Sequence, residues 1–256
     1  CANTLRPDVA YAFSRIGQHS SHPTASALEA LTRAVSYLFQ HKDLCLNQKL
    51  FMDDKDLTDK GPDFKFFAQQ NANLDEIFTF YSDTDHAGNA EPQNRRRSQN
   101  GFAAFTCDAL VAWHSKVSSV AFATPLIGVA HADFSSGALE IYGTSNATCA
   151  LLNLNYAYEE TGMCFPKPFH LLMDNTTAEA FCRDTVKRTK LKHIYCRQEW
   201  VKTLRDRSVM IPSHMDTIEN VADIFTEILD SRQFTYLRDK MMKRFPRSKV
   251  ATSVSK

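Results

Sequence analysis

FTFYSDTDHAGN (Phe78–Asn89) runs from a dense apolar and aromatic pattern straight into two aspartates, a histidine and a glycine. Ile77, Phe78, Phe80 and Tyr81 read as a short strand, with Asp83 at its end and Asp85 two residues further on. Strands that end in this way hold metal ions in some proteins and only lead into a polar turn in others, and both readings are open from this stretch alone. The surrounding pattern says what kind of sheet the strand joins. GFAAFTC (101–107) and ALVAWHS (109–115) read as a hairpin pair, and VSSVAFATPLIGVAH (117–131) either extends the second arm or forms an excursion. Ser135 to Glu160 reads as a long helix, capped by Ser135 or Ser136, with Leu139, Tyr142, Ala150 and Leu151 inward. FHLLMD (169–174) reads as a buried strand that again ends in an acid. Helices are expected over 176–186 and 192–205, a brief strand over Ser208 to Ile211, and helices over 216–229 and 231–243. Hairpins imply antiparallel pairing and strand–helix–strand steps imply parallel pairing, so the sheet is mixed with helices packed on it.

Ahead of this unit, residues 1–40 read as helical. Pro7 suits a first turn, and Val9, Ala12, Phe13 and Ile16 share a face. Pro23 and Thr24 open a second helix with Leu28, Leu31, Val35 and Leu38 expected inside. Residues 41–74 are polar and irregular and read as a linker or surface insertion.

The chain has 256 residues with a net charge of +1, so no global field advertises a polyanionic partner. Basic runs are local, at Arg95–Arg97, 187–193 and 240–249. Any one of them is as well explained by a solvated face. The seven cysteines are irregularly spaced with no CxxC pair, which argues against a disulfide framework or a structural zinc and points to a reducing compartment. No stretch is apolar enough for a membrane span, and no signal peptide is read. The first residue is Cys1, so the chain is expected to be a piece of a longer polypeptide.

Four acids fall at comparable places: Asp83 and Asp174 at strand ends, Glu140 in the first turns of the long helix, and Asp223 among apolar neighbours in MDTIENVADIFTEIL. Strand ends of an open α/β sheet converge on one edge. Carboxylates gathered there repel one another unless cations neutralise them, and an all-oxygen set selects Mg²⁺ or Mn²⁺. Each acid alone has a plainer reading: Asp174 before Asn175 as a helix cap, or Asp223 as an ion-pair partner.

From about Leu5 to Phe245 these residues, taken in order, resemble the C-terminal part of a copia-type LTR retrotransposon Pol polyprotein: the end of the reverse transcriptase followed by its ribonuclease H domain. LRPDVAYAFSRIGQHSSHPT, FYSDTDHAGN, RRRSQNGFAAF, LVAWHSK, ADFSSGALE, MDNTTA, KLKHI and NVADIFTEILDSRQFTYLRD each resemble one of its elements. The resemblance implies an α/β fold, a ribonuclease H-like mixed five-stranded sheet flanked by helices and preceded by a small helical segment. Residues 1–40 would be the helical, thumb- or connection-like end of the polymerase, 75–246 the ribonuclease H-like domain, and 247–256 a basic tail. It implies catalytic and metal-holding roles for Asp83, Glu140, Asp174 and Asp223, with two Mg²⁺ ions (Mn²⁺ able to substitute) and cleavage of the RNA strand of an RNA–DNA hybrid to a 5′ phosphate and a 3′ hydroxyl. His214, in Ile211-Pro-Ser-His214, matches a mobile loop histidine of such domains, where an imidazole can carry a proton near neutral pH or help product leave. An exposed loop histidine without a role is the other reading. His193 is expected at a helix start, and His86 on the surface.

The partners implied are the hybrid, gripped at phosphates by Arg96, Arg97, Lys187, Arg188, Lys190 and Lys192 and by the basic 240–249 segment, and the reverse transcriptase and integrase parts of the same polyprotein. No membrane is implied. The expected location is cytoplasmic, in a virus-like particle, with the nucleus as a further compartment. The sequence departs from the family at SSGALE, where one of two glutamates is gone, and at FTE, where a charge beside the last acid is reversed. Two other classes stay open: a degenerate or domesticated module that binds nucleic acid without cutting it, and a nuclease or integrase-like enzyme of the same fold acting on DNA.

Overall fold

The computed structural model describes residues 4–47, 78–85, 98–106, 109–118, 136–162, 164–175 and 192–244, with the backbone alone at 136–140 and 192–194. The central layer is a five-stranded sheet built from β2 (Phe78–Thr84), β3 (Gln99–Thr106), β4 (Ala109–Val117), β5 (Phe169–Met173) and β6 (Met210–His214). Its order is β4-β3-β2-β5-β6. β2, β3 and β4 pair antiparallel, while β2, β5 and β6 run parallel. Parallel neighbours need crossovers, and after β4 these contain α3 (Ser136–Glu160) and α4 (Lys192–Asp206). This is the mixed five-stranded, ribonuclease H-like arrangement expected from the sequence.

β2 packs on both faces, fully buried on one and half-buried on the other, because alternate side chains serve different cores. Phe78 and Phe80 face α3 and α4 and pack with Ala147, Leu151, Phe169, Leu171, Met173, Val201 and Met210. Tyr81 points the other way, against a cluster of Ala103, Phe105, Leu110, Ile224, Phe225, Leu237 and Met241. Burying each large side chain of this kind contributes roughly 1.5–3 kcal/mol. The second cluster is covered by α1 (Ala10–Gly17), the 3-10 turn Val221–Phe225 and α5 (Ser231–Met241).

The amino-terminal segment packs directly on the sheet. Ala10 and Leu44 belong to the second cluster, and the Gln99 amide of β3 donates to Ser14 Oγ of α1 at 2.9 Å. Arg6 holds Asp8 through two hydrogen bonds of 3.0 and 2.8 Å and donates to the His41 carbonyl at 3.0 Å, while the Tyr37 hydroxyl donates to Asp8 at 2.9 Å. This buried network clamps the first turn to α2 (Ala25–Gln40), whose cap is Thr24, accepting from the Ala27 amide.

The structure corrects several expectations. Leu28 and Val35 are exposed, and Ala34 is the buried side chain of α2. Within the supposed linker, Leu44–Leu46 form β1, paired antiparallel with β7 (Met242–Arg244). β2 runs to Thr84, so Asp83 is its penultimate residue and not the residue after it. The last strand of the five-stranded sheet lies at 210–214, not 208–211, because Ser208 takes a left-handed turn (φ 54) after α4. Pro212 is tolerated inside β6 because that strand is at the sheet edge. The helix expected over 216–229 is instead two 3-10 turns, Thr217–Glu219 and Val221–Phe225. Asp216 and Asn220 each accept a backbone N–H two residues on, restarting the chain twice, and all five residues of the second turn are buried, which leaves no exposed helical face. The helix expected over 176–186 and the stretch 119–131 lie outside the described residues.

Candidate metal centre

Three elements bring three carboxylates to one edge of the sheet. β2 and β5 are parallel neighbours in the register Tyr81↔Leu172. Carried two residues on, that register sets Asp83 abreast of Asp174, just past the end of β5. Asp223 arrives from the opposite direction, on the 3-10 turn that packs across β3. One ligand oxygen from each of Asp83, Asp174 and Asp223 lies within 4.8 Å of the others. Asp83 and Asp174 are half-buried and Asp223 is buried.

Two glycines make this approach possible. Gly101 is the cross-strand partner of Asp83, and a Cβ there would stand 2.7 Å from Thr226 Cγ2 and 2.8 Å from Phe225 Cβ. Gly143 does the same on the other face: its Cβ would lie 1.8 Å from Thr84 Oγ1. The backbone of α3 at Gly143 therefore lies directly against the Thr84 side chain at the end of β2. Glu140 is in the turn of α3 just before Gly143; its side chain lies outside the described residues.

Burial is the main cause that pushes the Asp83 carboxyl up to about 7, and the charges of Asp174 and Glu227 add to it. Hydrogen bonds from the Thr226 hydroxyl and the Thr84 amide act in the opposite direction. Glu227, next to the turn, is also raised, by burial first and then by Asp85 and Asp174. The site thus concentrates negative charge where solvent is scarce. A bound divalent cation relieves this arrangement, and its all-oxygen donors suit Mg²⁺ or Mn²⁺.

The opening stretch is resolved by geometry. Asp83 joins the cluster. The Asp85 amide donates to the Gln99 carbonyl at 2.9 Å, continuing the hairpin, and Asp85 is not one of the three converging acids. His86 lies outside the described residues.

His214 is not in a loop. It is the last residue of β6, exposed, and paired in register with Met173, the residue before Asp174. His193 is the second residue of α4, at a helix start as expected. Arg96, Arg97, Lys187, Arg188 and Lys190 lie outside the described residues, and Lys192 opens α4. Part of the basic 240–249 segment is already engaged. Lys240 pairs with Glu219 and sits 4.6 Å from the Tyr236 ring centroid, and Arg244 pairs with Asp43 at 3.2 Å. Sequence reading missed Gly101, Gly143 and Thr226. A glycine in the interior of each of two regular elements was the available signal for the first two. No described helix is long and apolar enough to cross a membrane.

No protein-family model matches the chain. It is 25% identical over 92% of its length to the retrovirus-related Pol polyprotein from transposon RE1 of Arabidopsis thaliana. It is 24% identical over 90% of its length to the corresponding polyprotein from transposon RE2 of the same plant. The chain spans 14% and 13% of the length of these relatives. Among solved structures it is similar to the N-terminal RNase H domain of Rv2228c from Mycobacterium tuberculosis (TM-score 0.39, 13% identity, 63% of this chain and 96% of that one). It is also similar to RNase H1 from Halobacterium salinarum (TM-score 0.39, 15% identity, 58% and 93%). The chain, a mixed α/β module, thus resembles over some nine-tenths of its length one segment of retrovirus-related Pol polyproteins.

Proposed function

We infer that the chain is the ribonuclease H part of a copia-type retrotransposon Pol polyprotein and cleaves the RNA strand of RNA–DNA hybrids endonucleolytically. The observation that carries this reading is the convergence of Asp83, Asp174 and Asp223 from three separate elements, with their oxygens mutually within 4.8 Å. These acids, with Glu140 from α3, would hold two Mg²⁺ ions, or Mn²⁺ in their place. Bound there, the ions supply an activated water and neutralise charge at the scissile phosphodiester.

The chain's own residues do the rest. Asp83 is held in β2 by antiparallel pairing with Gly101, Asp174 follows directly on β5 and Asp223 sits in a buried turn, so the site is built on rigid elements and needs little reorganisation. Its raised pKa, about 7, leaves the Asp83 carboxyl part-protonated near neutral pH, so it would release a proton on binding a cation. His214, at the exposed end of β6 and in register with Met173, would carry a proton at the departing 3′ oxygen or help product leave. Arg96, Arg97, Lys187, Arg188, Lys190 and Lys192 would grip phosphates, and the 2′-OH would distinguish the RNA strand. The partners are then the hybrid and the reverse transcriptase and integrase parts of the polyprotein, inside a cytoplasmic particle and in the nucleus.

The test is cleavage by the purified chain of an RNA–DNA hybrid, duplex DNA and duplex RNA, with Mg²⁺, with Mn²⁺ and with EDTA, beside Asp174→Asn. The reading expects hybrid cutting alone, abolished by EDTA and by the substitution. Hybrid binding without cutting in either ion would favour a non-catalytic binding module, and cutting of duplex DNA would favour a DNA nuclease.

A further inference from the structure

A side chain from far along the chain holds Asp83. The Thr226 hydroxyl donates to Asp83 Oδ2, across 143 positions of sequence. Thr226 is fully buried and closes the 3-10 turn that carries Asp223, its amide donating to the Asp223 carbonyl at 3.1 Å. The hydroxyl also lies 3.4 Å from the Ala222 carbonyl and 3.2 Å from the Asp223 carbonyl. It has one proton to give, and the carboxylate is the nearest and strongest acceptor.

The rotamer is fixed from the methyl side. Thr226 Cγ2 fills the slot left by Gly101, the cross-strand partner of Asp83, where an added Cβ would be 2.7 Å away. The turn is fixed again one residue earlier: Ser115 Oγ donates to the Phe225 carbonyl at 2.7 Å and accepts from Gln99 Nε2 at 2.8 Å. A carboxylate turns easily about its last torsion, and engaging one oxygen settles where the other points.

We propose that Thr226 is a positioning residue of the metal centre: by occupying Asp83 Oδ2 it presents the second Asp83 oxygen to the ions and locks the strand-borne acid to the turn that bears Asp223. The inference rests on the metal reading above. Hydrogen bonds of this kind, behind a ligand, typically govern 10–100-fold in metal affinity.

The test is Mn²⁺ binding by the full chain without substrate, measured by calorimetry. Thr226→Val keeps the shape and removes the hydroxyl, Thr226→Ser keeps the hydroxyl and removes the methyl, and Thr226→Ala removes both. Thr226→Ser should bind within about threefold of wild type, whereas Val and Ala should bind about 10–100-fold more weakly. Circular dichroism on each variant reports folding. Should Val not fold, the Ala and Ser pair, which share the lost methyl and differ only in the hydroxyl, makes the same comparison. Wild type that binds no Mn²⁺ overturns the metal reading and this inference with it. Wild type that binds, with a folded Val variant as tight or a Ser variant as weak as Ala, overturns this inference alone.

Discussion

Replacing Asp83 by asparagine should stabilise the metal-free chain at high pH while destroying its site. The folded Asp83 carboxyl sits at about 7 against an ordinary value of 3.8, chiefly because of burial. Between those two values the native state binds a proton that the unfolded state has released, so wild-type stability falls as pH rises through this window. Below about pH 4 both states are protonated and the cost vanishes; above about pH 7 it is complete. At 1.36 kcal/mol per unit, the cost at pH 8 is about 4 kcal/mol. Asparagine has no charge to bury, and its Oδ1 can still accept from Thr226. Carboxylates remote from Asp83 are common to both proteins and cancel in the comparison, while Asp174 and Glu227, whose charges raise Asp83, are relieved of its charge in the variant, which acts in the same direction. In EDTA, Asp83→Asn should therefore melt about 10 °C above wild type at pH 8 and together with it at pH 4. Millimolar Mg²⁺ should close the gap by stabilising wild type more than the variant. Parallel melting-temperature profiles from pH 4 to 8 for the two proteins would refute the reasoning, because the charge at Asp83 would then carry no folding cost.

Three further outcomes are expected. Gly143→Ala drives a Cβ to 1.8 Å from Thr84 Oγ1, between α3 and β2, and should cost about 1–3 kcal/mol in urea denaturation; an unchanged midpoint would mean that the helix does not lie directly against the Thr84 side chain. Asp8→Ala leaves Arg6 buried without its carboxylate and should cost about 3–5 kcal/mol, read in the same way. Phe80→Ala empties the centre of the first core and should cost about 3–5 kcal/mol, with little effect expected on Mn²⁺ affinity if the fold survives.

Most of the sheet was legible because its strands carry two strong local signals: alternation, and an acid or polar residue where burial stops. FTFYSDTD and FHLLMD both show them, and their ends could be matched without knowing the register. The long helix 136–160 was legible from length alone. What was not legible depends on partners far away in sequence. β1 is three residues long and exists because Met242–Arg244, nearly 200 positions on, pairs with it. The segment 216–229 carries a helical apolar spacing, yet Asn220 caps it midway and Gly101 opens a slot that draws Val221–Phe225 down onto β3, so tertiary packing overrides the local period. Leu28 and Val35 satisfied a helical face on paper, but the side of α2 that meets the protein is chosen by the Tyr37–Asp8 hydrogen bond. In the site, Asp83, Asp174 and Asp223 could be named from sequence, whereas Thr226 could not. A threonine beside an acid is common, and its importance here comes only from facing Asp83 across a glycine.

The same geometry ties the amino-terminal segment to the candidate site. Ser14 of α1 accepts from Gln99, Gln99 donates also to Ser115, Ser115 donates to the Phe225 carbonyl, and the next residue is Thr226, which holds Asp83. The three bonds from Ser14 to the Phe225 carbonyl measure 2.9, 2.8 and 2.7 Å, and together they run from the first helix through β3 and β4 to the turn that bears Asp223. Ser115 is the member whose loss is most informative, since it both donates and accepts. Ser115→Ala removes a side-chain donor to the Phe225 carbonyl and one acceptor of Gln99, and should cost about 1–3 kcal/mol. If the turn is held from this side, Mn²⁺ affinity should also fall in Ser115→Ala, whereas Ser14→Ala, one step further away, should cost some stability and leave the affinity within about twofold of wild type. Equal loss of affinity in both would mean that α1 itself sets the turn. No loss in either would mean that Thr226 and Gly101 suffice to hold Asp83 and Asp223 together, and that the amino-terminal segment contributes burial alone.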